Sequence, residues 1–169
     1  MTEAAAPRCV TIHQMKELIG SFFFVWTELE RALAGSEQRR KGLLALINDW
    51  GTRERDATAR ETHAILSDDL VRILNEALEI RNRIAHGLVG WRADPSGRTQ
   101  DAAFFTELNG MRRDISHADL ERLVELLASF RWIPDALRSA AGRPEDQAHA
   151  IYDAIRHQFD EWTPREPSA

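Results

Sequence analysis

The sequence predicts an all-α fold, a helical bundle of about five helices with a small β-hairpin inserted after the third helix. Two observations carry that expectation. Apolar residues recur at i, i+3 and i+4 through most of the chain, the period of helices that each bury one face. Around residues 88–116 this period gives way to turn residues (Gly90, Asp94, Pro95, Ser96 and Gly97) and then to a short apolar run ending in Asn109-Gly110. The whole reads as a single helical domain over residues 10–162, with flexible arms at 1–9 and 163–169.

The first helix is expected over 10–34. Ile12, Met15, Leu18, Ile19, Phe22, Val25, Trp26, Leu29 and Leu33 keep helical spacing, Thr11 and Gln14 form a capping box, and Gly35 closes the segment. Phe23 and Phe24 widen the apolar face beyond one stripe, so the helix either sits deep in the bundle or meets a second subunit. A second helix is expected from Ser36 to Trp50, punctuated by Gly51, while polar residues 52–62 read equally as solvated helix or loop. A third helix is expected over about 63–86, with Gly87 placed for its C-terminal cap.

Asn109-Gly110 predicts the hairpin, because a type I′ turn needs positive φ at both central residues. LVGWR, residues 88–92, supplies a candidate third strand. Ser116 and Asp119 form a variant capping box that opens the fourth helix, which reads as kinking at Pro134 and running on to about residue 141, since Leu137 continues its inner face. Pro144 suits the first turn of a last helix over about 144–161.

Composition narrows the function. The chain has 169 residues, a net charge of −5 and one cysteine, Cys9, so it cannot form an internal disulfide. A reducing, cytoplasmic compartment is expected. No apolar run is longer than the five residues of FFFVW at 22–26, far short of the ~20 residues of a membrane helix, and MTEAAAPR has no apolar core, so neither membrane insertion nor a signal peptide is expected. Overall acidity argues against a broad nucleic-acid surface but leaves local basic sites, at Arg39-Arg40-Lys41, at Arg81 with Arg83, and at Arg112-Arg113.

The stretch RNRIAHG, residues 81–87, concentrates the chemistry. Cleaving RNA without a metal requires removal of a proton from a 2′-hydroxyl and stabilisation of charge on the phosphate. Histidine is the side chain whose ordinary pKa, about 6.5, suits a base at neutral pH. Arginine grips phosphate oxygens through a planar fork and keeps its charge. Asparagine can hold the histidine or a phosphate by hydrogen bonds. Five helical residues rise about 7.5 Å and turn about 140°, so Arg81 and His86 do not share one narrow face, whereas Asn82 and His86 do.

Arg81, Asn82 and His86, late in a long apolar helix, resemble the motif of the HEPN superfamily, R-x4-6-H with Asn common after the Arg. The resemblance rests on seven residues and the all-helical pattern. It implies a small helical bundle, usually dimeric, and in many members a metal-independent ribonuclease whose site forms where the motifs of two subunits meet. Other members bind nucleotides or act as non-catalytic modules, and some toxins pair with a nucleotidyltransferase antitoxin. That toxin-type branch extends the motif to His-x-Tyr. Here Gly87 and Leu88 follow His86, so the Tyr is missing. The expected roles are Arg81 and His86 as the catalytic pair, with Asn82, Arg83 and Trp91 binding or orienting. Expected partners are a second copy of the chain, RNA or a nucleotide, and a protein partner, in a defence or toxin–antitoxin setting; no cofactor is expected.

An alternative stands beside this. RNRIAHG is also an ordinary helix C-terminus, where cations meet the negative end of the macrodipole. Arg81 would then pair with Glu28 or Glu30, and the protein would be a non-catalytic helical interaction module. Other constellations are weaker. His63 with Asp68 and Asp69 is conceivable as a metal site, but Asp68-Asp69 reads better as helix-start charge, and no metal is expected. Trp26, Trp50, Trp132 and Trp162 read as core or interface, while Trp91 in the hairpin region can flank a bound base. Arg112 and Arg113 read as solvated strand-edge charges that could also help hold RNA.

Overall fold

The computed structural model describes residues 10–34, 42–93 and 102–160. Among them, in chain order, are α1 (Ile12–Ala34), α2 (Leu43–Asp56), α3 (Glu61–Gly87), β1 (Leu88–Arg92), β2 (Ala103–Leu108), β3 (Met111–Ser116), α4 (His117–Ser129), α5 (Ile133–Ala141) and α6 (Glu145–Asp160). The protein is mostly helical with one small antiparallel sheet, and the described residues hold six helices where about five were expected. Expectations placed on Cys9, Gly35, Ser36, the 39–41 basic cluster, the 94–97 turn, Trp162 and the terminal arms lie outside the described residues. Among the described residues no helix is long and apolar enough to cross a membrane.

The described residues group into two compact units. Of the described residues, the first holds those up to Phe24 and those from Glu79 to Val124; the second holds those from Val25 to Leu78 and from Glu125 onward. Helices α1, α3 and α4 therefore contribute residues to both.

In the first unit, α1 starts as its sequence dictates. Gln14 N–H donates to Thr11 Oγ1 at 3.2 Å and Thr11 N–H donates to Gln14 Oε1 at 2.8 Å, the reciprocal bonds of a capping box. The sheet order is β1-β2-β3. Asn109 (φ 53°) and Gly110 (φ 76°) form the two-residue turn between β2 and β3, with Leu108 facing Met111 across it. A register irregularity between Leu88 and Gly90 bends β1 where it leaves the helix. Phe104 and Thr106 on β2 are buried, as is Ile115 on β3, and Thr106 Oγ1 donates to the Arg113 carbonyl at 2.7 Å. Met15, Phe22, Ile84, Leu120 and Leu123 complete this unit's interior. The fourth helix opens on the expected cap, Ser116 Oγ accepting from Asp119 N–H at 3.0 Å and donating to Asp119 Oδ2 at 2.6 Å.

The second unit corrects three expectations. Gly51 does not end α2, which runs on to Asp56. A Cβ built on Gly51 would lie 2.3 Å from Val71 Cγ2, so the glycine is there to let α2 approach α3. Asp68 and Asp69 sit well inside α3 rather than at its start; Asp68 pairs with Arg55, and Asp69 lies 3.9 Å from Arg72. The expected kink at Pro134 is a complete break. The chain turns at residues 130–132, where Phe130 N–H reaches only to the Leu127 carbonyl (3.1 Å), and Pro134 lies in the first turn of a separate α5. A proline there forfeits no helical hydrogen bond.

Two arginines cap helix ends in this unit. Arg53 Nη2 donates to the Leu33 carbonyl at 3.0 Å, near the end of α1, and Arg60 Nη1 donates to the Ala140 carbonyl at 2.7 Å, near the end of α5. The interior is aliphatic and aromatic, with Trp26, Trp50, Leu70, Leu74, Phe130, Leu137 and Tyr152 all fully enclosed.

Candidate functional site

All five residues expected at the site fall in the first unit, on the last turns of α3 and on β1. Helix α3 holds them because its apolar side, ending in the buried Ile84, anchors the terminal turn and leaves the other side outward. His86 is exposed and Arg81 and Asn82 are half-buried.

Arg81 is positioned by two neighbours. Its Nη1 donates to Asn82 Oδ1 at 3.2 Å, and its guanidinium lies over the Phe23 ring, 6.0 Å from the centroid. Phe23 itself stacks edge-on to buried Phe22 at 5.7 Å, so the arginine rests on an anchored aromatic. Of the glutamates considered as its partners, Glu28 accepts from Arg31 at 2.6 Å within α1. Asn82 spends its carbonyl oxygen on Arg81, which makes it the orienter of the arginine. Its amide N–H group is the part with the right polarity for a phosphate.

Arg83, expected among the binding residues, has a different position. It is 6% exposed, donates through Nε to Glu79 Oε1 at 2.8 Å and through Nη1 to the Met111 carbonyl at 3.1 Å. It ties α3 to the hairpin beside its turn. Arg113 also reaches Glu79 Oε1, at 3.4 Å. The Glu79 carboxyl is held below its ordinary range, chiefly by the Arg83 hydrogen bond and further by the charges of Arg113 and Arg83, against an opposing push from partial burial. Arg112 pairs with Glu107 at 3.1 Å across the strands.

Gly87, expected as the C-terminal cap of the third helix, is the last residue of α3 and does not have positive φ. Its missing side chain matters for packing: a Cβ there would lie 2.6 Å from the Glu107 carbonyl oxygen and 3.0 Å from its carbon. The glycine lets the end of α3 rest directly on the backbone of β2, which fixes where His86 emerges.

No family model, curated protein or solved structure matches the chain.

Trp91 is 41% exposed on β1 and lines a cleft of about 770 Å³ with Val10, Ile12, His13, Arg92 and Phe105. The Arg92 guanidinium lies over the Phe105 ring, 5.7 Å from its centroid. The arrangement can therefore offer an exposed imidazole and a braced guanidinium at the end of α3 and, on the strand that follows, a cleft bordered by a cation.

Sequence reasoning missed a polar cluster in the second unit. His63 is fully buried, its Nδ1 lies 3.0 Å from the Tyr152 hydroxyl, and its Nε2 lies 3.8 Å from Glu54 Oε2. Ser67 Oγ donates to the His63 carbonyl at 2.8 Å. These residues are enclosed, so their polar contacts lie within the interior of this unit. Burial also removes His63 from any pairing with the exposed Asp68 and Asp69 as metal ligands. The helical period alone hinted at it: His63 stands one turn before the inward-facing Leu66 and Ser67.

Proposed function

We propose that the protein is a HEPN-like RNA-binding protein that cleaves RNA without a metal, working as a homodimer with Arg81 and His86 as its catalytic pair. The supporting observation is that the same helix end carries an exposed His86 and, five residues earlier, an Arg81 braced by Asn82 and Phe23. His86 takes the proton from a 2′-hydroxyl, and the 2′-oxygen attacks the adjacent phosphorus. The bond to the 5′-oxygen breaks, and that oxygen takes up a proton as it leaves. Arg81 holds the non-bridging oxygens as charge builds on them. Because Arg81 and His86 diverge by about 140° around the helix, a second copy completes the site: its motif faces the first, and its His86 returns the proton. Phe24, 65% exposed and adjacent to Phe23 on α1, is the apolar anchor for that second copy.

The test is RNA cleavage in excess chelator by the wild-type protein, His86→Ala and Arg81→Ala. Products ending in 2′,3′-cyclic phosphate, lost in both variants while both stay folded, are expected. Absence of cleavage across varied RNAs, with equal stability loss in the two variants, would favour the second reading, a helical interaction module with RNRIAHG as a structural helix end. Burial of Arg83 and the close backbone approach at Gly87 support that alternative, since both residues within the motif serve packing.

A further inference from the structure

We infer that the outward face of α1 is where a second copy of this chain docks, the two α1 helices crossing antiparallel with Phe24 of each copy seated over Gly20 of the other. The inference rests on the homodimer of the reading above and deepens it by naming the surface that builds it.

Three features support it. First, α1 is one unbroken helix, and His13, Glu17, Gly20, Phe24, Thr27 and Arg31 follow one another along it at alternating steps of four and three residues. That is the spacing of a helix–helix seam. All six are exposed, on the side away from the buried Phe22 and Trp26. The two ends of the stripe are polar, so the contact is a short crossing centred on Gly20 and Phe24, not a long coil. Second, these two residues make a gap and a knob one turn apart. A Cβ built on Gly20 would have no atom within 4 Å, so nothing among the described residues calls for glycine in the interior of a helix, where it is unfavourable. The Phe24 ring is 65% exposed. A two-fold axis passing between them puts each ring into the other copy's gap, so both contacts form at once and the surface closes on itself. Third, the charges fit the antiparallel sense. That crossing brings Lys16 beside the partner's Glu30, and Glu17 within a turn of the partner's Arg31. A parallel crossing would set Glu17 against Glu17, Arg31 against Arg31 and Phe24 against Phe24, and would leave both gaps empty.

The crossing also serves the candidate site. Phe23 lies on the flank of this stripe that carries Lys16, close to the two-fold axis, and Arg81 lies over its ring at 6.0 Å. The two Arg81 side chains therefore come to the same edge of the interface, as a site completed by a second copy requires.

Sedimentation velocity of the full chain over a concentration series measures the dimer, and circular dichroism checks that each variant is folded. Phe24→Glu is expected to weaken the dimer by at least about 30-fold, the loss on removing one central aromatic anchor. Gly20→Gln fills the gap. Its side chain meets open space in the single chain, so the variant should gain thermal stability as a monomer while it loses the dimer, a combination that a purely structural glycine would not give. Lys16→Glu is expected to weaken the dimer about 2- to 30-fold, as two surface pairs become repulsive, and Glu30→Lys added to it should restore the wild-type value. Absence of that rescue overturns the antiparallel sense. A monomeric wild type, or a dimer that survives Phe24→Glu and Gly20→Gln, overturns this interface and leaves RNA cleavage by the wild type to decide the nuclease reading. A dimer lost in both variants, with no RNA cleavage by the wild type, keeps the interface and overturns the nuclease.

Discussion

Replacing Gly87 by alanine tests the account of how His86 is placed. The new Cβ would sit 2.6 Å from the Glu107 carbonyl oxygen, 3.0 Å from its carbon and 3.3 Å from Leu108 Cβ. Carbon and carbonyl oxygen ordinarily approach to about 3.3–3.6 Å, so something must shift by more than half an ångström. The obstacle is backbone. Glu107 lies in the β2–β3 ladder opposite Arg112, so a retreat would disturb strand pairing. Overpacking of this kind costs about 1–3 kcal/mol. Against it stands the better helix propensity of alanine, at most about 1 kcal/mol and less at a helix end. The net expectation is a loss of about 1–2 kcal/mol, which lowers Tm by about 2–8 °C in a chain of this size. Thermal melts followed by circular dichroism provide the assay. Gly20→Ala is the control: it lies inside α1 with nothing within 4 Å of its would-be Cβ, so it should raise Tm. Equal or higher stability in Gly87→Ala would refute the close-approach explanation and return the glycine to a plain helix-end role.

Gly51→Ala should destabilise by about 1–3 kcal/mol through its clash with the stiff, β-branched Val71, and adding Val71→Ala should recover part of that loss in a double-mutant cycle of urea midpoints. Tyr152→Phe should cost about 1–3 kcal/mol, because it strips the hydroxyl from buried His63, whose Nε2 already makes no hydrogen bond among the described residues; wild-type stability would show that the Tyr152 contact contributes nothing. Glu79 provides the pH test. Its carboxyl titrates lower in the folded chain than in the unfolded one, so its contribution is full above the ordinary carboxylate range and is lost as pH falls through the folded value. Glu79→Gln should therefore lower stability at neutral pH and match the wild type in strong acid. Because Glu79 is half-exposed, the neutral-pH difference should stay near the ~0.2–1 kcal/mol of surface pairs, and a difference that persists unchanged in acid would count against it.

The candidate site was legible only in part. The motif residues and their place at the end of α3 followed from helical spacing and the glycine that ends it. The division of labour between Arg81 and Arg83 did not. Two arginines separated by one residue look alike in a sequence, and their fates diverge only because Met111 and Glu79 meet one and Phe23 the other. The Trp91 cleft was half legible: the tryptophan stood out, but its neighbours come from the start of α1 and from β2, far away along the chain.

The sequence by itself determined the features whose energetics are local. Caps at Thr11 and Ser116 and the Asn109-Gly110 turn depend on residues within three positions of one another, and the structure carries all three. Helical periodicity likewise marked most of the inward face of α1, where Met15, Phe22, Trp26, Leu29 and Leu33 are buried although Ile12 is exposed, since burial of one stripe is a property of the repeat. Tertiary structure decided whatever depended on who arrives from elsewhere. It decided that Gly51 sits inside a helix, because Val71 comes close; that α4 and α5 are separate, because the chain turns before a proline that merely suits a first turn; and that His63 is an interior residue, because Tyr152, 89 positions away, meets it there. The first and last of these outcomes turn on contacts between residues whose separation along the chain leaves no periodic trace.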